Sequence, residues 1–216
     1  MSKTLTQLIS NIQALLLDDG TRFTTATCTA AVRSALKDFN QRAPIYAGEL
    51  VDIVSGQKEY ALNTSAFQNL IAVNAVLKQG TDEHLENNIE LPYDDYFEDA
   101  APFIRLRTAQ TSGYLIVRYS IPYTVSGLDS QTESTLPAYF DDILIDGGCY
   151  WACVIRSVGR VETINLNQGV TENLTETKEF YRQAFTYGLS QAARRKPPVS
   201  EPNTTAWNDQ YYGRTN

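Results

Sequence analysis

Residues 4–17, TLTQLISNIQALLL, decide how the chain begins. Their apolar side chains recur at intervals of three and four positions and so fall on one stripe of a helix: Leu5, Leu8, Ile9, Ile12, Leu15 and Leu16. Thr4 and Gln7 have the spacing of a capping box, and Gly20 supplies a stop signal. The stretch therefore predicts an amphipathic helix that buries one face.

A second helical pattern follows after a short connection at residues 18–23. Thr24 or Thr25 can cap this helix, and its apolar stripe contains Cys28, Val32, Ala35, Leu36 and Phe39. The helix must end before Pro44, because a proline disfavours the α conformation in the residue before it. We therefore expect residues 1–45 to form an N-terminal helical hairpin.

Short strand patterns fill residues 46–135, which we expect to form an antiparallel β-rich domain. The strand candidates are residues 49–54, 59–62, 70–78, 103–107 and 114–121. The first two are joined by a predicted turn at residues 55–58. The last two alternate apolar and polar side chains on either side of Thr111-Ser112-Gly113, which predicts a β-hairpin. Residues 124–135 are polar and predict a loop back to helix.

Residues 136–196 predict two longer helices that complete the helical domain. The first begins after Pro137 and the second covers about residues 171–195. Gly147 and Gly148 lie in the middle of the first, where each costs about 1 kcal/mol relative to alanine. We expect these glycines, with Trp151, to mark a close approach of another backbone, such as a neighbouring subunit. The alternative is a weak helix tolerated by a stable core.

The order of these elements predicts an α+β protein. Its helical bundle combines the N-terminal hairpin with the two longer helices, the β-rich domain is inserted between them, and residues 197–216 form an extended tail. The tail contains Trp207, Tyr211 and Tyr212, and aromatic side chains are the ones that bury area. We therefore expect it to fold on a partner, with a flexible terminus as the alternative. The basic residues just before it can pair with acidic groups on that partner: Arg194, Arg195 and Lys196.

The charge of the chain limits its partners. With a net charge of −7 over 216 residues, it does not suit a protein that neutralises nucleic-acid phosphates. Residues 81–100 hold no Lys or Arg and eight carboxylates: Asp82, Glu83, Glu86, Glu90, Asp94, Asp95, Glu98 and Asp99. We interpret this segment as an acidic surface. It is either a solvated face, or one that repels DNA or meets a basic partner.

Motifs for chemistry are absent from the sequence. His84 is the single histidine, and no phosphate-binding loop, nucleophile elbow or metalloprotease motif occurs. Three cysteines, Cys28, Cys149 and Cys153, indicate a reducing compartment and are better read as buried small hydrophobes than as metal ligands. No stretch resembles a signal peptide or a membrane span. We expect no enzyme activity, no catalytic residue, no cofactor and no metal.

Several segments, in order, resemble tailed-bacteriophage head-to-tail adaptor (connector) proteins of the tail-tubular-protein-A-like kind. The N-terminal run at residues 5–17 opens the likeness, followed by DGTRFT at 19–24 and FNQRAP at 39–44. GQKEYAL at 56–62 resembles that family's G-x-x-x-Y-x-L strand. VRYSIP at 117–122 and LPAYFDDIL at 136–144 resemble its strand, polar loop and helix passage. The likeness covers nearly the whole chain, and it does not separate short-tailed from long-tailed phages.

The resemblance implies a structural virion protein without enzyme activity. Such adaptors form a homo-oligomeric ring below the portal that matches its twelvefold symmetry, extend the DNA channel and provide a surface for tail attachment. The implied partners are further copies of the chain, the portal protein, and a tail nozzle or tail terminator protein. DNA is met only in transit, and no membrane is involved. The tail after the last helix, with Trp207, Tyr211 and Tyr212, is implied to dock on the portal. The location is the head–tail interface of a virion assembled in the host bacterial cytoplasm.

Two other classes of function stay open. The first is another tail-side structural protein, either a tail terminator or a glycan- or receptor-binding module, in which exposed aromatics such as Tyr93, Tyr96 and Tyr114 matter most. The second is an enzyme that uses paired carboxylates from the acidic segment. The enzyme class is distinguished by changing four carboxylates to amides without disturbing assembly: Asp94, Asp95, Glu98 and Asp99.

Overall fold

A computed structural model describes residues 2–18, 20–62, 67, 69–79, 89–98, 101–160 and 168–194. By their contacts, the described residues divide into a helical unit, within residues 1–44 and 123–194, and a β unit, within residues 45–122. The chain is thus a mixed α+β protein in which the β unit interrupts the helical one. Residues 123–135, which the strand pattern assigns to the β-rich domain, belong to the helical unit.

The described residues of the helical unit form four α-helices. They are α1 (Leu5–Leu15), α2 (Thr25–Arg42), α3 (Asp141–Arg160) and α4 (Gln168–Arg194), and a single 3₁₀ turn at Ala138–Phe140 precedes α3. α1 packs on α2 and α3, while α4 packs mainly on α3 and to a lesser extent on α2. All four helices were predicted from sequence, with small shifts at their ends.

Side-chain caps set where the first two helices begin. Thr4 accepts a hydrogen bond from the Gln7 backbone N–H at 3.4 Å, and the Gln7 side chain accepts one from the Thr4 N–H at 2.9 Å. This confirms the predicted capping box. Thr24 caps α2 by accepting from the Thr27 N–H at 3.3 Å. α2 ends at Arg42 with Ala43 as its cap, as Pro44 requires.

The connection between α1 and α2 is organised around one carboxylate. Asp18 accepts hydrogen bonds from the backbone N–H groups of Gly20, Arg22 and Phe23 at 3.2, 3.0 and 2.5 Å. The Gln13 amide donates to the Phe23 carbonyl at 2.8 Å and ties the far side of the loop to α1. The turn is therefore fixed by local bonds and not by glycine alone.

An aromatic cluster marks the place where the chain re-enters the helical unit. Phe39 lies edge-on to Tyr123 and to Phe140, with ring centroids 5.7 and 5.0 Å apart. Next to it, the Asn40 side chain accepts a hydrogen bond from the Tyr123 N–H at 2.8 Å and donates one to the Tyr123 carbonyl at 3.1 Å. The end of α2 therefore holds the returning chain by its backbone as well as by its side chain.

The β unit contains two antiparallel sheets. Its described strands are β1 (Ile45–Asp52), β2 (Glu59–Ala61), β3 (Ala72–Lys78), β4 (Ile89–Glu90), β5 (Tyr93–Glu98), β6 (Ala101–Leu106) and β7 (Tyr114–Ile121). One sheet has the order β1-β7-β3-β4 and the other the order β2-β6-β5. β7 pairs with β1 along its whole length, from Ile45 opposite Ile121 to Asp52 opposite Tyr114.

The predicted hairpin is therefore wrong. β6 and β7 are not partners, because they belong to different sheets, and the predicted turn at residues 55–58 likewise connects strands of different sheets. The physical reason lies in β7, whose Leu115, Ile116 and Val117 are all buried. A strand buried on both faces is a central strand that needs two neighbours, and β1 and β3 supply them. β5 was missed, because YDDYFE lacks the alternation of a half-buried strand.

Candidate functional site

The paired glycines of α3 lie where its neighbours come closest. A β-carbon on Gly147 would stand 2.6 Å from the Phe185 ring of α4 and 2.9 Å from the Ala35 side chain of α2. One on Gly148 would overlap the Ile12 side chain of α1. Real side chains essentially never approach so closely, so both positions require glycine unless their neighbours move. The close approach is accounted for within one chain, and contact with a neighbouring subunit is not needed to explain it.

A third glycine plays the same part and escaped the sequence reasoning. Gly188 of α4 would place a β-carbon 2.9 Å from Ile143 of α3. Its signal in the sequence was a glycine in the interior of a long helical pattern, which usually has a packing reason when it is retained. Together with Gly147, it lets α3 and α4 pack closely along their length.

Trp151 is held by a specific bond to α2. Its indole Nε1–H donates to the Asp38 carboxylate at 2.9 Å, and its ring meets Tyr150 edge-on at 5.3 Å. The side chain is half-buried, as is common for an aromatic ring with a polar handle. Its proposed role in subunit packing stays a prediction.

The described part of the acidic surface lies on β4 and β5. Glu90 of β4 and Asp94, Asp95 and Glu98 of β5 are exposed, while Asp82, Glu83, Glu86 and Asp99 lie outside the described residues. The neighbouring strand tempers this charge. Arg107, just after β6, approaches Asp94 at 3.5 Å, while Arg105 of β6 stands opposite Asp94 in the register and pairs with Glu59 of β2 at 3.3 Å. The sequence alone did not reveal these partners, because strand pairing brings them from outside the acidic segment.

Two of the three tyrosines named for the alternative role as a binding module make contacts within the β unit. The Tyr93 hydroxyl donates to the Val73 carbonyl at 2.9 Å, and burial raises the pKa of this phenol. Tyr96 stacks on Phe103 with ring centroids 5.5 Å apart. Tyr114 is half exposed at the start of β7. Of the three, Tyr114 keeps the most free surface.

The predicted docking tail falls almost wholly outside the described residues. Arg194, the last residue of α4, is exposed. Arg195, Lys196, Trp207, Tyr211 and Tyr212 lie outside the part of the chain that the structure describes. The docking role of this segment remains a prediction.

The three cysteines are buried in the helical unit, as predicted. Burial raises the pKa of the Cys28 and Cys153 thiols to about 11, and it raises that of Cys149 further. A thiol with so high a pKa carries almost no thiolate at neutral pH, and the thiolate is the reactive and metal-binding form. Within the described residues, no group of three or more His, Cys, Asp or Glu side chains is placed to hold a metal ion.

One buried carboxylate was missed from sequence. Asp141, at the start of α3, accepts a hydrogen bond from the Lys3 backbone N–H at 3.0 Å, with the Lys3 ammonium 4.0 Å away. Burial raises the pKa of Asp141, and the bonds to Lys3 oppose this rise. The contact holds the segment before α1 against the start of α3. In the sequence, Asp141 and Asp142 at the start of a helix indicate no more than helix capping.

Several large apolar side chains of the helical unit face solvent. Leu17 is 91% exposed, Phe180 is 66% exposed and Tyr187 is 68% exposed. Leu17 also has a φ of +49°, in the left-handed region that a leucine rarely occupies. The bonds of the Asp18 loop hold it there. Exposed apolar groups of this size indicate contact surfaces. None of the helices in the described part of the chain is long and apolar enough to cross a membrane.

Comparisons with known proteins give little guidance. No protein-family profile and no curated protein matches this chain. A solved structure described as "Neck of native GTA particle computed with C12 symmetry" aligns with 94% of this chain and 96% of its own, at 13% sequence identity and a TM-score of 0.27. A TM-score this low does not establish a common fold.

Proposed function

We propose that the protein is a structural virion protein, a head-to-tail adaptor. In this role, copies form a homo-oligomeric ring below the portal, extend the DNA channel and provide the surface to which the tail attaches. The partners are further copies of the chain, the portal protein and a tail nozzle or terminator. The protein acts without enzyme activity or a cofactor, at the head–tail interface of a virion assembled in the bacterial cytoplasm.

One observation carries the proposal: the residues behind the family resemblance occupy positions that set the fold. Phe39 and Asn40 of FNQRAP hold the returning chain at Tyr123. Tyr60 of GQKEYAL is buried in the β unit, and Phe140 of LPAYFDDIL is buried in the aromatic cluster of the helical unit. Motifs of this kind stabilise a fold and do not form a catalytic site.

The surface of the helical unit supports an assembly role. Phe180 and Tyr187 are seven residues apart on α4 and expose apolar area on one side of that helix, and Leu17 is exposed just beyond α1. Copies that pack side by side would cover it. A structural protein gains its function from such contacts.

The charge of the chain supports DNA in transit rather than DNA binding. The net charge of −7 repels a phosphate backbone, and Asp94, Asp95 and Glu98 add exposed carboxylates on β5. A channel component must let DNA slide, and a basic lining would retain it through counterion release. The alternative role as a tail terminator or glycan-binding module places the weight on exposed aromatics of the β unit, such as Phe97 and Tyr114.

The test removes the proposed docking tail. Deletion of residues 197–216 begins three residues after the end of α4, so we expect the melting temperature to stay nearly unchanged. We expect the truncated chain to lose most of its binding to capsids that carry a portal but no tail, and Trp207→Ala to reproduce much of that loss. Asn203→Ala, in the same tail but without a ring, is the matched control and should bind normally.

Two results would count against this account in different ways. If the truncated chain occupies portals as fully as the intact one, or if truncation unfolds the protein, the tail is not a docking arm. If the intact chain itself fails to bind portal-bearing capsids, the adaptor role is wrong.

A further inference from the structure

The outer face of α1 carries no charge. The helix has the sequence LTQLISNIQAL, in which no residue is acidic or basic. Its solvent-exposed positions are Thr6, Gln7, Ser10, Ala14 and Leu15, spaced as one side of a helix. Just beyond it, the loop around Asp18 presents Leu17, which is 91% exposed. The exposed side of α1 is therefore uncharged, and an exposed leucine stands at its end.

The outer face of α4 has the same character over its second half. Residues 183–193, QAFTYGLSQAA, contain no charged side chain. The exposed positions form a single stripe: Gln183, Thr186, Tyr187, Ser190 and Ala193. Arg182, one of the residues that line a shallow depression with this stripe, is engaged by Glu179 at 2.6 Å. Phe180 extends the stripe with another exposed ring.

Both faces suit a dry contact between helices. The Ser10 hydroxyl donates to the Thr6 carbonyl at 3.0 Å, and the Ser190 hydroxyl donates to the Thr186 carbonyl at 2.9 Å. Each hydroxyl is thereby satisfied inside its own helix, so covering it strands no donor. Depletion of charge with exposed aromatic and apolar groups is the compositional mark of the centre of a protein interface.

The two faces belong to different sides of the helical unit. α1 packs on α2 and α3, whereas α4 packs on α3 with a smaller contact to α2. The successive glycines of α3 show this division, because Gly148 meets Ile12 of α1 and Gly147 meets Phe185 of α4. A contact that pairs two different faces of the same molecule is a head-to-tail contact, which repeats from copy to copy and forms a ring when the rotation between copies closes.

We propose that the α1 face of one copy packs on the α4 face of the next copy. The proposal rests on the ring-forming role proposed above and names its subunit interface. Within one copy α1 begins beside the start of α3, where Lys3 meets Asp141, and α4 ends there, where Gly188 meets Ile143. α1 and α4 therefore run antiparallel, and we take the same arrangement between copies.

Charge at the rim agrees with this arrangement. The Asp142 carboxylate is 92% exposed at the end where α1 begins, and it lies 3.9 Å from the Lys3 ammonium of the same copy. Arg194 is exposed at the end of α4. Antiparallel packing between copies brings these opposite charges to the same end of the interface, where such pairs fix the register.

The test is a cross-link between engineered thiols on the two faces. Ser10→Cys and Ser190→Cys are small changes at exposed positions, combined in one otherwise intact chain. The native thiols are buried with raised pKa values, so a short bis-maleimide reacts with the new ones. The purified chain is treated at its highest soluble concentration. We expect a ladder of dimers, trimers and longer products, because each copy offers both ends of the contact.

Three controls make the outcome specific. Each single variant should stay monomeric, because neither face contacts the same face of another copy. A chain with Lys37→Cys in place of Ser10→Cys carries its thiol on an exposed charged position of α2 and should give no ladder. Tyr187→Glu added to the cross-linking pair should reduce the ladder several-fold.

The contrary results are equally definite. Dimers from a single variant, a ladder from the Lys37→Cys control, or no ladder from the main pair would each overturn this interface. Portal binding of the unmodified chain is measured separately. Its retention without a ladder overturns only the interface, while a ladder without portal binding overturns only the adaptor role.

Discussion

At the scale of single residues, this chain uses glycine where helices meet. Gly147 and Gly148 could be recognised from sequence, because two glycines inside a helical pattern carry a cost that needs an offsetting contact. Their partners could not be recognised, since Phe185, Ala35 and Ile12 come from three other helices. Asp141 and Gly188 were missed for the same reason: their meaning lies in contacts distant along the chain.

The first residue-scale prediction concerns Gly147. Gly147→Leu must displace the Phe185 ring and the Ala35 side chain, so we expect the free energy of unfolding to fall by about 1–3 kcal/mol. Chemical denaturation of the purified variant measures it. Ala26→Leu, at an exposed position of α2, is the control and should change the free energy by no more than about 0.5 kcal/mol. Equal stability of the Gly147 variant and the wild type would remove the close-packing explanation.

At the scale of elements, helices were more predictable than strand pairings. Local sequence signals predict α1 and α2: a capping box precedes α1, and Pro44 follows α2. Strand pairing depends on partners far along the chain. β7 looked like half of a local hairpin, yet its burial on both faces requires β1 and β3 as neighbours. β5 escaped notice because its exposed carboxylates hide the strand pattern.

The second prediction concerns the bond that joins α2 to the returning chain. Asn40→Ala leaves the N–H and carbonyl of Tyr123 without their partner, so we expect a loss of about 1–2 kcal/mol in the free energy of unfolding. Gln41→Ala, at the next and exposed position of α2, is the matched control and should be nearly neutral. If both variants unfold at the same denaturant concentration as the wild type, Asn40 does not secure the return point.

At the scale of the whole molecule, the order of helices and strands could be predicted from the sequence, and the structure shows how they divide into two units. The predicted sequence of hairpin, strands and paired helices is present, and the β unit interrupts a helical unit that closes around α3. The candidate assembly face was only partly predictable. The sequence predicted the helix α4, but burial was needed to separate its exposed positions from its core positions.

The proposed role joins these scales. Glycines allow the helices to pack closely, the packed helices leave two uncharged faces on different sides, and such faces suit a chain that assembles with its own copies. In this proposal, the tail beyond Arg194 supplies the contact with the portal. A head-to-tail adaptor needs both kinds of contact, one around the ring and one along the axis of the particle.

The most direct measurement is the position of the protein in the particle that carries it. Electron cryo-microscopy of intact particles, with the chain located by its helical and β units, decides between the proposed role and its alternatives. We predict a ring of copies at the portal vertex, between head and tail. Density for the chain at the far end of the tail, or as isolated copies on a fibre or receptor-binding tip, would contradict the adaptor role.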